Sequence, residues 1–598
     1  MTDFDIERIA FDIDDVQTHA TLNDKLTNWP VVYLIDGANA ETNQTSQARR
    51  RQRAHGIHRP RIYVGETGNA LARMRQHHEN EVKRDLEQVR VIIDETFNKS
   101  ACLDLESQLI GWCQGDGTFQ VLNRNAGLVD ADYFDRETYR KRFHEIFERL
   151  RDEGVFTHSI PEIENSELFK LSPFKSLTTD QSVAIEQILE TLSADRAAQR
   201  GSTIVVQGDP GTGKTIVAIY LIKLLRDIGN TSDDDLFEMN SLFSDFFAGE
   251  HREALQHMDI GIVVPQQSLR ASMRRVFKSI PNMREVKVVT PFDIGSGDDH
   301  YDLLLVDEAH RLGQRANQSS GMQNKKFIDI NTKLFGEDDL HYTQLDWIRA
   351  RSTNQILLVD ADQTVRPGDL PTSTLRSVLD AARRGDRLLR LTSQLRVKGG
   401  NDYIEYVGRL LSDEPTAPKS FGDSYDLRFF DDLGEMHEEI RKRDAEVGLS
   451  RLVAGFAWPW NSKNDKSVPD IVEDGVRLQW NWAQTDWIAS PHAIDQVGSI
   501  HTVQGYDLNY AGVIIGRDLQ LDRSTGRLMF SRDDYYDKKG KENNAQLGIT
   551  YSDEELLKFV RNIYRVLMTR GMLGTYVYVC DAELKERLKS LVPSRKER

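Results

Sequence analysis

Cysteine is scarce in this 598-residue chain: three residues, Cys102, Cys113 and Cys580, odd in number and far apart. None of them pairs at metal-ligand spacing, and so scattered a set excludes a disulfide framework. Reduced thiols in a cytoplasmic protein are expected. Long apolar runs are missing too. No stretch approaches the roughly 20 residues of a membrane-spanning helix, so no membrane is expected among the partners. The opening residues, MTDFDIERIAFDIDD, lack the charged-then-apolar order of an export signal. Positive charge is in deficit as well: 77 Lys and Arg against 94 Asp and Glu give a net charge of −17. That excludes holding nucleic acid by bulk charge alone and leaves the task to local basic patches.

One such patch is present. Residues 49–61, RRRQRAHGIHRPR, carry six arginines, two histidines and no acid. The run is either a solvated loop or a nucleic-acid grip.

A chain of this length needs several cores. Short buried strands are expected at 31–35 and 62–65, with helices over 69–85, 101–113 and 136–151, making a small α+β domain over residues 1–152. Residues 153–175 hold two prolines and no period and read as a linker. From residue 176 strands alternate with helices, the mark of parallel sheets. The strands TIVVQG, IGIVVP, YDLLLVD and QILLVD belong to a first α/β lobe (176–390). RLVAGFA, GVIIG and TYVYVC belong to a second (391–598). Residues 229–258 and 522–550 read as polar insertions, the latter as an exposed hairpin or loop.

The sequence GDPGTGKT, Gly208 to Thr215, follows an apolar strand and opens an apolar-periodic helix. In that setting it is a P-loop: Gly208, Gly211 and Gly213 let backbone N–H groups curl around phosphates, Lys214 reaches the terminal ones, and Thr215 offers a hydroxyl to Mg²⁺. The strand LLLVDEAH then ends in Asp307 and Glu308, a carboxylate for the metal shell and a neighbour to polarise water. ATP and Mg²⁺ are the expected cofactors.

In order and spacing, these elements and those around them resemble superfamily 1 helicases, and most closely the Schlafen-like helicases of bacteria, over residues 174–581. The resemblance implies adenine contact by Gln181 in FKSLTTDQ and strand gripping by VVPQQSLRASMRRVF. It implies γ-phosphate sensing by Gln363 in VDADQTVRP. LTSQLRVKGG supplies Arg396, IHTVQGYDLNYAGVIIG supplies Gln504, Gly505 and Asp507, and NIYRVLMTRG supplies Arg565 and Arg570. Arginines from the second lobe answer the charge that spreads over a transferring γ-phosphoryl, an effect of about 10³–10⁵-fold in rate. Five of the eight tryptophans lie between Trp458 and Trp487. They are candidates for stacking on bases, or for core packing.

A second signature lies upstream. Tyr63 and Gly65 of YVG are followed by Arg73 eight residues after the glycine and His77 four later, and VVY places Tyr33 on the preceding strand. This set resembles the GIY-YIG endonucleases over residues 30–150. The separation of Tyr33 from Tyr63 is longer than that family shows, because the arginine-rich run intervenes. The resemblance implies a single Mg²⁺, or Mn²⁺, on Glu106, and a late asparagine at Asn123, with Asn125 as the rival. Arg73 is suited to neutralise the scissile phosphate. Tyr33 is the first choice of general base and His77 the second, with Tyr63 holding water or phosphate.

The sequence thus points to an ATP-dependent helicase or translocase with a tethered endonuclease that cuts DNA, used in bacterial defence against phage or foreign DNA. RNA is the alternative substrate. A non-cutting ATP-driven sensor that recruits a partner is the alternative class. A second copy of the chain or a defence-system protein would be a further partner.

Overall fold

In the computed structural model the residues described are 4–37, 59–83, 86–123, 132–231, 242–315, 318, 320–360, 363–483, 487–490, 492–503, 506–545 and 547–592. The arginine-rich run up to residue 58, Asn125, Gln504 and Gly505 lie outside them. The chain divides into two compact units. One comprises Met1–Ser182, Ile219–Gln256 and Arg275–Glu285, and the other Val183–Ala218, His257–Arg274 and Val286–Arg598.

Every residue of Val31–Asp36 is buried, as a strand covered on both faces must be. It is the middle strand, β2, of a five-stranded sheet ordered β1-β4-β2-β3-β5, with β1 at Asp5–Ala10, β3 at Arg61–Thr67, β4 at Gln88–Ile93 and β5 at Gln120–Val121. Antiparallel pairing sets Tyr33 opposite Gly65 on β3 and Val91 on β4. The helix Ala70–Glu79 begins at Asn69, whose side chain accepts the Ala72 N–H. Helix Lys99–Asp116 begins the same way at Asn98 and ends on Gly117 at φ +69°, the left-handed stop that favours glycine. The third helix spans Arg136–Asp152.

Residues 153–175, read as a linker, are folded. Short helices run over Ile160–Asn165 and Glu167–Lys170, and a Cβ on Gly115 would meet Ile163 at 2.7 Å and Phe169 at 2.9 Å. Asp116 fastens the start of the segment, accepting the backbone N–H groups of Thr157 and His158 at 3.0 and 2.9 Å.

In the other unit, six parallel strands form a sheet ordered β11-β6-β10-β9-β7-β8. They are β6 (Ser202–Gly208), β7 (Ile260–Val263), β8 (Lys287–Val289), β9 (Tyr301–Val306), β10 (Ser352–Val359) and β11 (Leu388–Leu391). A second sheet is ordered β12-β20-β17-β13-β16-β15-β14, parallel except for the β14–β15 pair. Its strands are β12 (Asp426–Phe430), β13 (Ser450–Ala454), β14 (Ile471–Glu473), β15 (Val476–Trp480), β16 (Gln496–Ser499), β17 (Leu508–Ile515) and β20 (Gly571–Val579). Between β17 and β20, β18 (Leu519–Leu521) and β19 (Leu528–Phe530) pair antiparallel. This hairpin overlaps only the start of the 522–550 segment read as an exposed hairpin or loop, and that segment is anchored rather than wholly exposed, because its Phe530 and Tyr535 are buried in the lobe's core. The expected α/β architecture is present: a small α+β module, then two RecA-like parallel-sheet lobes. Among the described residues no helix is long and apolar enough to cross a membrane.

Candidate functional site

Two clusters of polar side chains stand out, one in each unit. The first is built where β6 ends. Gly211 and Gly213 adopt φ +87° and +78°, the left-handed turn that aims successive N–H groups inward. Lys214 folds back, its Nζ donating to the carbonyls of Gly208 (2.7 Å) and Asp209 (3.0 Å). Asp360, at the tip of β10, lies 3.8 Å from the same Nζ. The Thr215 hydroxyl donates to Asp307 Oδ2 at 2.9 Å.

Asp307 and Glu308 follow β9. Burial, and then the charge of Glu308, push the Asp307 carboxyl up to about 6. For Glu308 burial opposes ionisation, but His310, Arg311 and Lys214 outweigh it and hold the group below the usual carboxylate range. Glu308 sits at φ +50°, strained for a residue with a side chain and of the kind that clusters at functional sites. His310 Nδ1 accepts the Asp360 N–H at 3.2 Å, which leaves the proton on Nε2, 3.0 Å from Glu308 Oε2. Sequence reading gave His310 no role, although it stands in the quoted DEAH.

The segment after β11 packs onto the P-loop. Gln394 Nε2 donates to Pro210 O at 2.7 Å and Leu395 N–H to Gly211 O at 2.9 Å. A Cβ on Gly211 would lie 2.0 Å from Gln394 Oε1 and 2.9 Å from Arg396 Cβ, a second reason for glycine there. Arg396 is ion-paired with Asp507, and its Nη1 is buried without a hydrogen bond. Arg570 donates to Tyr506 O at 3.2 Å. Burial, and next the charge of Arg396, pull Arg570 down to about 9, with Glu308 and Arg311 also acting on it. Gln363 is buried with its Oε1 unpaired, a cost of about 1–3 kcal/mol unless another group completes it. Arg565 lies on the helix Asp553–Met568 leading to Arg570. Gln181 is buried in the other unit, where its Oε1 accepts the Thr178 N–H.

The residue set suits a magnesium nucleotide: a hydroxyl and a carboxylate already paired, a lysine over a glycine loop, and a buried arginine, Arg570, that feels the charge of Glu308, with the half-buried Arg396 beside the P-loop. Thr215 and Asp307 would hold the metal.

Of the tryptophans, Trp458, Trp480 and Trp487 are buried. Trp480 meets Phe456 and Trp460 edge-on, so these three are core. Trp460 and Trp482 are half-buried, with Lys463 Nζ 5.2 Å and Lys466 Nζ 4.1 Å from their ring centres.

The second cluster stands on the N-terminal sheet. Tyr33 Oη is 2.8 Å from His77 Nε2, and the Tyr63 ring centre lies 6.3 Å from that of Tyr33 and 4.8 Å from that of His77. A Cβ on Gly65 would be 2.3 Å from Tyr33 Oη, so the glycine of YVG exists to let this phenol lie across the strand. Burial, then Tyr63, raise the Tyr33 phenol well above its ordinary value, while Arg73 pulls it back. Burial, then Lys83, then Arg73, lower His77 to about 2. Glu106 is raised to about 8 by burial and then by the charge of Glu66.

Tyr33, Tyr63, Arg73, His77 and Glu106 therefore influence one another. Asn123 is differently engaged: its Oδ1 accepts the Val64 N–H at 3.1 Å and its Nδ2 donates to Val64 O at 2.7 Å, which fastens the edge of β3. Two neighbours were missed by sequence reading. Glu66 directly follows YVG, ion-pairs with Lys99 and keeps Oε2 buried without a hydrogen bond. Lys83 is buried with Nζ 2.7 Å from His77 Nδ1 and 3.9 Å from the Tyr63 ring centre. Among the described residues no group of three metal-ligating side chains occurs. The Glu106–Glu66 neighbourhood still suits a cation, since a divalent ion there would offset both the burial of the Glu106 carboxylate and the repulsion from Glu66.

A P-loop at the tip of a parallel sheet, followed by a second parallel-sheet lobe, defines a two-lobed α/β protein of helicase-like fold. The family model for the Schlafen group 3 DNA/RNA helicase domain matches residues 201–581, and the chain belongs to that family. It is also similar to the uncharacterized protein YPL245W of Saccharomyces cerevisiae (strain ATCC 204508 / S288c). The two are 26% identical over 464 residues, covering 73% of this chain and 95% of the relative.

Proposed function

We propose that the chain is an ATP-dependent helicase or translocase whose N-terminal module, residues 1–152, is a Mg²⁺-dependent endonuclease cutting DNA. Residues 176–390 and 391–598 are its two motor lobes, and Mn²⁺ would also serve the nuclease site. The motor half rests on the family match and on Lys214, Thr215, Asp307 and Glu308 meeting at one point. Glu308 is the base for the attacking water, and Arg396 and Arg570 stabilise the transferring phosphoryl.

One observation carries the nuclease half: Tyr33, Tyr63, Arg73, His77 and Glu106, drawn from two strands and two helices, gather around one phenol. In this reading Arg73 neutralises the scissile phosphate, Glu106 holds the metal with Glu66 beside it, and Tyr33 is the base. His77 is unsuited to that role because both its ring nitrogens are engaged.

The test is incubation of purified protein with labelled single- and double-stranded DNA and RNA, with Mg²⁺, with and without ATP. Cleavage that Arg73→Ala abolishes supports the reading. ATP turnover without any cutting supports a nucleic-acid-sensing switch instead, and cutting confined to RNA moves the substrate class.

A further inference from the structure

Lys83 plays no part in the sequence signature, yet it is the closest partner of the histidine that is in it. Its backbone follows from the turn after the helix Ala70–Glu79: Asn80 caps that helix, a 3₁₀ turn spans Glu81–Lys83, and the Lys83 N–H donates to Asn80 O at 3.0 Å. The side chain returns to the sheet, where Nζ stands 2.7 Å from His77 Nδ1.

An ammonium has three donors and no acceptor. Facing it, Nδ1 must be the bare nitrogen of a neutral imidazole, so the ring proton lies on Nε2, 2.8 Å from Tyr33 Oη. Tyr33 is then an acceptor from His77, and its own O–H is not spent on the histidine. The opposite tautomer would place a lone pair at Nε2 and draw the phenolic proton into the sheet. The Tyr63 ring, with Nζ 3.9 Å from its centre, shares the buried charge through a cation–π contact.

We propose that Lys83 is a positioning residue that fixes His77 as the Nε2–H tautomer and so makes Tyr33 Oη the acceptor in their hydrogen bond. The catalytic consequence rests on the nuclease reading, whereas the tautomer does not.

The test is long-range proton–nitrogen NMR on the full chain labelled with nitrogen-15 histidine, with His77→Gln assigning the signal. A neutral ring protonated on Nε2 is expected, and Lys83→Met should move the signal toward the Nδ1–H form. An Nδ1–H ring in the wild type, or an unchanged signal in Lys83→Met, overturns the proposal. Lys83→Arg, which keeps a donor, should keep the wild-type signal and covers the case in which Lys83→Met fails to fold; an Nδ1–H signal there also counts against it. In cleavage assays Lys83→Met should slow cutting by about 10- to 100-fold, by analogy with the loss of a partner that orients a metal-bound histidine. It should have no further effect in a His77→Gln background, and an equal loss in both backgrounds overturns the relay. A wild type that cuts nothing defeats the nuclease reading while leaving the tautomer to the NMR.

Discussion

Gly65→Ala tests the N-terminal cluster through packing alone. The added Cβ would lie 2.3 Å from Tyr33 Oη, 2.4 Å from Cζ and 3.0 Å from Cε2. The ring has nowhere to retreat: Tyr33 is 1% exposed and its hydroxyl is bonded to His77. Overpacking of this kind costs about 1–3 kcal/mol, and breaking the hydrogen bond adds about 0.5–1.5 kcal/mol. For a domain of some 150 residues each kcal/mol lowers Tm by about 2–4 °C. Scanning calorimetry of the full chain should therefore show the lowest-melting transition affected by the change falling by roughly 5–15 °C. The control is Gly68→Ala, where nothing lies within 4 Å of the new Cβ and no shift is expected. Combining Gly65→Ala with Tyr33→Phe removes the nearest atom and should recover part of the loss. A Gly65→Ala protein that melts and cuts like Gly68→Ala would refute the placement of Tyr33 across this strand.

Three further outcomes follow. Glu308→Gln should bind ATP yet lower turnover by about 10²–10⁴-fold, measured as nucleic-acid-stimulated phosphate release; wild-type turnover would remove Glu308 as the base. Asp518 is raised to about 7, chiefly by burial, so between about pH 4 and pH 7 the folded chain holds a proton that the unfolded chain has lost. Its stabilisation is full below that window and fades as pH rises through it; Asp518→Asn should flatten the decline in Tm, and an unchanged slope would contradict the assignment. Trp480→Ala should cost about 3–5 kcal/mol of lobe stability as a core truncation, whereas Trp482→Ala, whose half-buried ring packs against the lobe's core, should lower Tm less and weaken single-strand binding by about 1–3 kcal/mol; the reverse pattern in melting and filter-binding assays would overturn both placements.

The candidate nucleotide site was legible because the chemistry proposed for it needs residues at fixed chain spacing: glycines where the backbone turns left-handed, Lys214 and Thr215 at once after them, and Asp307 at a strand tip. The same holds for Tyr33, Gly65, Arg73 and His77, where strand register and helix pitch convert spacing into proximity. Lys83 was not legible, since its reach to His77 depends on how a 3₁₀ turn bends the chain back. Strand β1, DIERIA, escaped notice because it is an edge strand, with one fully buried residue among six and no apolar run. Residues 153–175 read as a linker because their apolar residues anchor singly, Ile163 and Phe169 against Gly115, without a period. The tryptophan cluster could not be sorted from sequence, because alternation along β15 buries Trp480 while Trp482, beyond the strand's end, stays half-buried.

The most direct measurement compares wild type, Glu106→Gln and Glu308→Gln on one labelled duplex with a single-stranded tail, following cleavage and ATP turnover in the same reaction with Mg²⁺. Wild type should both cut and hydrolyse, Glu106→Gln should hydrolyse ATP without cutting, and Glu308→Gln should lose its turnover. Undiminished cutting by Glu106→Gln, or no cutting by a wild type that turns over ATP, would contradict the account.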